Sequence, residues 1–514
     1  MQGSMTEAKA RMNEAMRRIE KLAGKEGHGD KTELLREFLD RKKTLIERRE
    51  TDADRESLLL MRMQERKDLP QVDGKVNEFL RCCSDAVDLS HDKEKGRLLR
   101  ATRNIRPGAV LIVDKPYSFC TNVEVLHTNC LNCHTSLRFR DTIRVPCKSC
   151  RTVQFCSDTC RKQAWDAFHR YECRIFDYFC EKSSRRTNSS LAYRTLVNAA
   201  LQSRNNSVEI NQNFLKLHHD DKNALDVKSL EKYESQDYKT VFTLETHCNR
   251  TNVNDNLEKT IHSIFFAKCL IFSLHFLELD TNDFERHLHV LAVALLHNMQ
   301  SINCNAYEIV ENVRNDETKV LEPRTVGGAI YTSVSLTNHS CYPNIVRHTY
   351  PCGTVVVRST RFIPRDSEIL DCYGQHFLEN DRHTRRKLLA QKYHFICQCE
   401  ACLHDWPAKL PSDEFHFKCK KCFKQCRQIR KLVECTSCGF KTEMSKLCIT
   451  LQNSVRNRLT ALTKMYDGSY RDALPLLLEQ ASNIDKLLLE PSLEAAKTQQ
   501  SIIQCFNAMS CTSI

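Results

Sequence analysis

An α+β fold carrying several zinc-bound modules is what this sequence predicts. Three observations carry the prediction. Short strand-like runs alternate with long helical stretches, about half of the 28 cysteines sit in short CxxC-like pairs, and the last stretch reads as helices. At about 150 residues per domain, 514 residues suggest three or four units. A hydrophobic content of 41% is enough to build packed cores.

From Thr6 to about Lys67 the chain is dense in Glu, Lys, Arg, Leu and Met. Leu34, Leu35, Phe38, Leu39, Leu45 and Ile46 recur at helical spacing, which predicts amphipathic helices. Leu69-Pro70 and Gly74 punctuate their end. Leu98 to Tyr117 reads as short strands, LLRAT and AVLIVDKPY, around an Arg106-Pro107-Gly108 turn. Phe176 to about Asn298 reads mostly as helix, broken by a polar stretch from Ser203 to about Thr260. Its most apolar run, Ile264 to Leu279, contains Lys268 and His275 and is too short to span a membrane comfortably; a buried helix is expected. Strand patterns return in GGAIYTSVSL, IVRHTY, TVVVRST and EILDCY. Leu451 to Cys505 reads as helices, and MYDGSYRDALPLLLEQA resembles half of a tetratricopeptide-type hairpin, a unit that needs several copies to stack.

The N-terminal sequence has no signal-peptide hydrophobic run, and the paired cysteines do not follow the scattered spacing of a disulfide framework. Thiolate metal ligands in a reducing compartment are therefore expected, in a soluble protein with no membrane association. A net charge of +12 permits weak attraction to nucleic acid or acidic protein tails, but over so long a chain it reads first as a solvated surface.

The strongest signal is Cys130-x2-Cys133, Cys147-x2-Cys150, Cys156-x3-Cys160 and His169-x3-Cys173: eight potential ligands for two tetrahedral zinc sites. Zinc there replaces a hydrophobic core that so short a segment cannot build. His134 lies outside the pattern. A second cluster, Cys397-x-Cys399-x2-Cys402, is one ligand short of a tetrahedron. A third, Cys419-x2-Cys422 with Cys435-x2-Cys438, has zinc-ribbon spacing, with Cys426 as a spare or competing ligand. Three or four zinc ions are expected.

The first cluster resembles the cross-braced MYND finger. That resemblance implies Cys130, Cys133, Cys156 and Cys160 on one zinc, and Cys147, Cys150, His169 and Cys173 on the other. Around it stand Lys95-Gly96-Arg97, the run Asn338-His339-Ser340-Cys341-Tyr342-Pro343-Asn344, and Glu368 to Gly374 with Cys372-Tyr373-Gly374 at its end. Together these resemble the SET methyltransferase fold interrupted by a MYND finger, the order of the SMYD family, and YGQHF and RRKLLAQKYHFICQCEAC sit nearest its fourth paralogue group.

The resemblance implies a charged helical region over 1–72, SET halves over 86–129 and 299–376, the finger over 130–173 and a helical insert over 174–298. A post-SET zinc segment over 377–403, a ribbon over 415–440 and TPR-like helices over 450–514 follow. It supplies Cys341 as the ligand that completes the Cys397, Cys399 and Cys402 site. It implies protein-lysine methylation with S-adenosylmethionine, whose pocket would use Lys95, Gly96, Arg97, Asn305, Ser335, Asn338, His339, Tyr373 and Phe395. Tyr373 would be the catalytic hydroxyl, with Tyr393 lining a lysine channel together with Tyr307. A narrow tyrosine-walled channel suits a neutral amine. Two departures stand out. Leu98 replaces a family glycine and is expected to crowd the cofactor loop, and Asp366-Ser367-Glu368 replaces Gly-Glu-Glu.

The rival reading is an adaptor in which the finger binds proline-rich peptides or corepressors such as histone deacetylases. Sequence-specific nucleic-acid binding is not expected, since neither finger spacing leaves room for a groove-reading helix. A monomer acting in cytoplasm and nucleus on a protein substrate with a target lysine is the expectation.

Overall fold

The computed structural model describes residues 68–138, 144–180, 184–205, 231–274, 284–314, 321–411, 415–510 and 512–513. The helices expected between Thr6 and Lys67 lie outside the described residues. The fold below is that of one compact unit, Arg66–Leu462 with Tyr470–Ser513.

Strands β1 (Val87–Asp92) and β2 (Gly96–Ala101) form an antiparallel hairpin. Its turn closes because the Asp92 carboxylate accepts the backbone N–H groups of Glu94 and Lys95 at 2.8 and 3.0 Å, while Gly96 takes φ +72°, a region that costs glycine little. Strands β3 (Val110–Asp114) and β4 (Ser118–Thr121) follow. The cysteine-rich segment comes next, with β5 (Val145–Pro146), β6 (Gln154–Phe155) and helix α1 (Asp158–Ala164), capped by Ser157.

Four helices then intervene: α2 (Ser184–Asn205), α3 (Tyr238–Phe242), α4 (Val253–Leu274) and α5 (Phe284–Asn305). They share a core with the finger, in which Phe155, Phe168, Phe179, Tyr193, Phe266 and Leu295 are buried together. The expected buried helix at Ile264–Leu279 is corrected here. It belongs to α4, where Phe266, Ala267 and Leu270 are buried but Ile261, Ile264, Phe265 and Phe272 are 58%, 41%, 38% and 74% exposed; residues 275–279 lie outside the described set. One face packs, with Phe266 stacked on Phe179 at 4.8 Å, and apolar content alone does not say how many faces have neighbours.

The strands resume with β7 (Ala306–Arg314), β8 (Leu321–Ile330), β9 (Asn338–His339), β10 (Ile345–Thr349), β11 (Val355–Ser359) and β12 (Leu370–Asp371). Helix α5 runs on to Asn305, past the expected boundary near Asn298, and β7 is a strand that the patterns above do not flag. The SVSL end of the GGAIYTSVSL pattern is a 3₁₀ turn, Val334–Leu336, rather than strand. With the C-terminal β16 (Thr512–Ser513), two sheets result, β10-β11-β3 and β16-β7-β8-β4. Leu99, Leu111, Ile112, Ile309, Val326, Val355 and Val357 form their common core. Each such side chain contributes about 1.5–3 kcal/mol on burial.

Helix α6 (Arg382–Tyr393) starts at an Asp381 cap and stops at His394, which is left-handed at φ 60°. The ribbon strands β13 (Cys426–Ile429), β14 (Leu432–Cys435) and β15 (Lys441–Glu443) follow, then helices α7 (Met444–Tyr466), α8 (Tyr470–Leu487) and α9 (Leu493–Ala508). Phe417 and Val433 seat the ribbon on Leu447, Leu451, Ile484 and Leu488. No helix among the described residues is long and apolar enough to cross a membrane.

Candidate metal centres and active site

Four groups of ligand atoms converge: Cys130, Cys133, Cys156 and Cys160; Cys147, Cys150, His169 and Cys173; Cys341, Cys397, Cys399 and Cys402; and Cys419, Cys422, Cys435 and Cys438. Four thiolates at about 2.3 Å from zinc stand about 3.8 Å apart along each tetrahedral edge. The sulfurs match that geometry. Cys133–Cys156 and Cys156–Cys160 are 3.6 and 3.5 Å apart, Cys147–Cys173 3.8 Å, Cys341–Cys402 3.6 Å, Cys341–Cys397 3.9 Å and Cys419–Cys438 3.6 Å. In the second group His169 presents Nε2 to Cys150 Sγ at 3.5 Å. The donor sets fit zinc, and the described cysteines form no disulfide. His134 and Cys426 stay outside the four groups; Cys426 instead pairs across the ribbon with Cys435.

The surroundings orient these ligands. His169 Nδ1 lies 3.2 Å from the Glu172 carboxylate, which Arg194 grips at 2.8 and 2.7 Å, all three being buried. At the third group the fully buried Arg385 points Nη2 at Cys402 Sγ, 3.5 Å away, and at the Ala401 carbonyl. A guanidinium offsets the net negative charge of four thiolates on one divalent ion.

The third metal group adjoins the motif-bearing strands. Strand β9 runs parallel to β12, pairing Asn338 with Leu370 and His339 with Asp371. Asn344 locks the crossing: its N–H reaches the Leu370 carbonyl, its amide donates to Glu368 O at 2.8 Å, and its side-chain oxygen accepts Leu370 N–H at 2.8 Å. His339 accepts the Tyr373 N–H at Nδ1, 3.0 Å away, so its proton sits on Nε2 and points at Cys341 Sγ, 3.3 Å off. One imidazole thus ties the metal group to Tyr373. Burial and the nearby Arg385 charge favour the neutral ring.

Tyr373 donates its hydroxyl to the Thr337 carbonyl at 2.6 Å, and its ring lies 4.8 Å from that of Tyr393. Burial, with the Tyr307 phenol and the Asp371 carboxylate nearby, holds this phenol well above its usual range, so it stays protonated. Both tyrosines line a cavity of about 310 Å³ together with Gln375, Leu388, Leu389, Gln391 and Lys392. Phe395 stands 6.0 Å from the His339 ring and 6.5 Å from Tyr393.

The remaining expected residues take varied positions. Asn338 donates to Glu368 at 2.9 Å and to the Arg97 carbonyl at 3.4 Å, and Lys95 reaches the same Glu368 carboxylate at 2.8 Å. The Arg97 side chain turns away to Thr243, at 3.2 and 2.6 Å. Asn305 spends its amide N–H groups on the Glu245 and Ser301 carbonyls, both at 2.8 Å, and joins α5 to β7. Ser335 donates to the Tyr331 carbonyl at 3.0 Å and faces the Asn305 carbonyl at 3.5 Å.

Tyr307 does not line the cavity wall with Tyr393. Its hydroxyl donates to the Val334 carbonyl at 3.1 Å, under the Arg347 guanidinium, which pairs with Asp371. Leu98 is fully buried on the Gly96 side of β2. Glu368 as a hub, the Arg347–Asp371 pair and the α6 cavity residues carry no spacing signal; they come together only through the crossing of β9 and β12.

The donor chemistry fits a cationic amino-acid-bearing cofactor. The Arg97, Asn305 and Thr337 carbonyls and the Glu368 carboxylate are acceptors for positive charge, and Lys95 is a donor for a carboxylate. At Gly96 no atom comes within 4 Å of where a Cβ would stand, so the backbone can be approached closely.

Comparison with known proteins bears on the finger and on the chain as a whole. The family model of the MYND finger, zf-MYND, matches residues 129–173. A Danio rerio protein named protein-lysine N-methyltransferase SMYD4 is 22% identical over 84% of this chain and 66% of its own length. The Mus musculus SMYD4 protein is 25% identical over 79% of this chain and 57% of its own. The Arabidopsis thaliana histone-lysine N-methyltransferase ASHR1 is 27% identical over 62% and 55%. The chain thus spans less than two thirds of the length of these relatives. The chain contains a segment matching the MYND finger and is similar over most of its length to proteins named SMYD4.

Proposed function

We propose that this chain is a protein-lysine N-methyltransferase dependent on S-adenosylmethionine. The strands on either side of the finger form its SET-type catalytic body, and α7 to α9 form TPR-like helices. The carrying observation is the Tyr373 hydroxyl, anchored to Thr337 beside Tyr393 at the wall of a cavity, with Asn338 and His339 on the strand behind it.

When bound, the cofactor supplies an electrophilic methyl group on a sulfonium. The chain's residues do the rest. Tyr373 directs its proton to the Thr337 carbonyl, so its oxygen lone pairs remain to accept a hydrogen bond from the incoming amine and aim it. The Tyr373 and Tyr393 rings exclude water and favour the uncharged amine, because desolvation lowers the pKa of a lysine. Carbonyls around Arg97 and Asn338, with Glu368 and Lys95, would hold the cofactor's charged end. The MYND finger contributes a protein-binding surface for proline-rich or corepressor segments, in cytoplasm and nucleus.

The test is transfer of a labelled methyl group to proteins of a cell extract. Tyr373→Phe keeps the ring but loses the hydroxyl. A transition-state hydrogen bond contributes about 2–4 kcal/mol, so labelling is expected to fall about thirtyfold or more with cofactor affinity nearly intact. Wild-type protein that binds the methyl donor and labels nothing overturns the reading.

A further inference from the structure

We infer that the cavity beside Tyr373 selects target lysines flanked by acidic residues and rejects the arginine- and lysine-rich surroundings of basic tails. The inference rests on the methyltransferase reading and names the substrate class for the same site.

Among the described residues, the wall carries two tyrosines, two leucines, two glutamine amides and one formal charge, the Lys392 ammonium; no carboxylate lines it. Lys392 is exposed, sits 5.0 Å over the Tyr393 ring and forms no ion pair with any described residue. The Tyr393 ring and the α6 backbone therefore hold a cation beside one of the two tyrosines that would receive the target lysine. Lys387, also exposed, stands one turn before Gln391 on α6, a second cation on the same helix. Two carboxamides, Gln375 and Gln391, can pair with a peptide backbone in either hydrogen-bond sense.

A substrate's own lysine enters as a neutral amine, so it tolerates these cations. Its neighbours stay charged. An acidic neighbour gains an attractive partner in Lys392 without displacing an ion pair to a described residue, whereas an arginine neighbour meets a like charge on the cavity wall. Specificity is a difference of affinities, and the repulsive half of it is built in here.

The experiment uses the full chain and two fluorescent nine-residue peptides, each with one central lysine. Glutamate flanks that lysine on both sides in one peptide, arginine in the other. Binding is read by anisotropy and methylation by transfer of a labelled methyl group. The glutamate peptide is expected to bind about five- to tenfold tighter at low salt, with the gap narrowing as salt rises. Lys392→Glu is expected to reverse the order, and Lys392→Gln to erase most of it; both replace an exposed side chain. Equal binding of the two peptides, or a preference unchanged by Lys392→Glu, overturns the inference. If the binding preference holds but neither peptide is methylated, the methyltransferase reading fails while the charge selection stands. Methylation of both peptides without a binding preference removes the charge selection and leaves the enzyme reading in place.

Discussion

Asp114 ends β3 with both carboxylate oxygens buried, and burial pushes its carboxyl up to about 6 against the pull of Ser235, Cys82 and Ser333 nearby. Its ordinary value is 3.8, so the folded state holds the proton more tightly than the unfolded one. The sign follows: Asp114 favours the fold fully below the unfolded value, and that contribution is lost as pH rises through about 6. Asp114→Asn removes the charge at constant shape. It is expected to stabilise the protein by about 1–3 kcal/mol at about pH 8, with the gain shrinking near pH 5, in urea unfolding at both values. A gain independent of pH would show that ionisation of Asp114 is not its source. Asp366 illustrates a different residue-scale effect. It takes φ 64°, a left-handed conformation that favours glycine. Asp366→Gly relieves about 1 kcal/mol of local strain and is expected to raise the unfolding midpoint slightly, less the entropy that glycine adds to the unfolded chain.

At the scale of elements, the metal groups differ in their covering. In the ribbon Cys438 is exposed and Cys422 half-buried, whereas Cys341, Cys397 and Cys402 are buried among Tyr342, Phe377 and Trp406. Four zinc ions per chain are expected on metal analysis of purified protein, and a count below two would falsify the zinc assignment of the finger. Under a chelator the ribbon ion is expected to leave first and the Cys341 ion last, followed by a colorimetric zinc indicator. Loss of the Cys341 ion should also release His339 from its thiolate partner, so methyl transfer is expected to fall with that phase and not with the ribbon phase. Coincident release of all four ions would count against independent sites.

Over the whole molecule, the finger is tied to the helices and the sheets by buried charge. Glu172 joins His169 to Arg194 on α2, and Arg194 also donates to the Phe119 carbonyl at 2.8 Å and stacks over Phe168 at 4.0 Å. On the other side Glu311 of β7 pairs with Arg324 and accepts from Asn129 at 3.3 Å, next to Cys130. Replacing one partner of a buried pair leaves the other uncompensated, at a cost of about 3–5 kcal/mol. Arg194→Met is therefore expected to destabilise the fold by about that much and to hasten zinc loss from the His169 group. Adding Glu172→Gln is expected to recover part of the stability, read as a double-mutant cycle in urea. Full additivity of the two changes would mean that they do not act through one another.

The sequence by itself determined the chemistry that depends on short spacing. A CxxC turn delivers two thiolates to one ion wherever it sits, so all sixteen candidate metal ligands that converge were legible once the family resemblance supplied Cys341. The strands around NHSCxPN and CYG were legible for a similar reason, since alternating or apolar runs state their own conformation. What the tertiary structure decided depends on non-local pairing. Asn338 and Glu368 become neighbours only because β9 and β12 run parallel, and Arg97 turns to Thr243 only because α3 ends beside β2. The exposed face of α4 was hidden for the same reason. Apolar spacing records which residues resemble a core, while the number of neighbours around a helix is set by elements far away in the chain. Lys392 looks in sequence like any lysine near a helix end, and only the closure of α6 over Tyr373 makes it the one charged group among the described residues of the cavity wall.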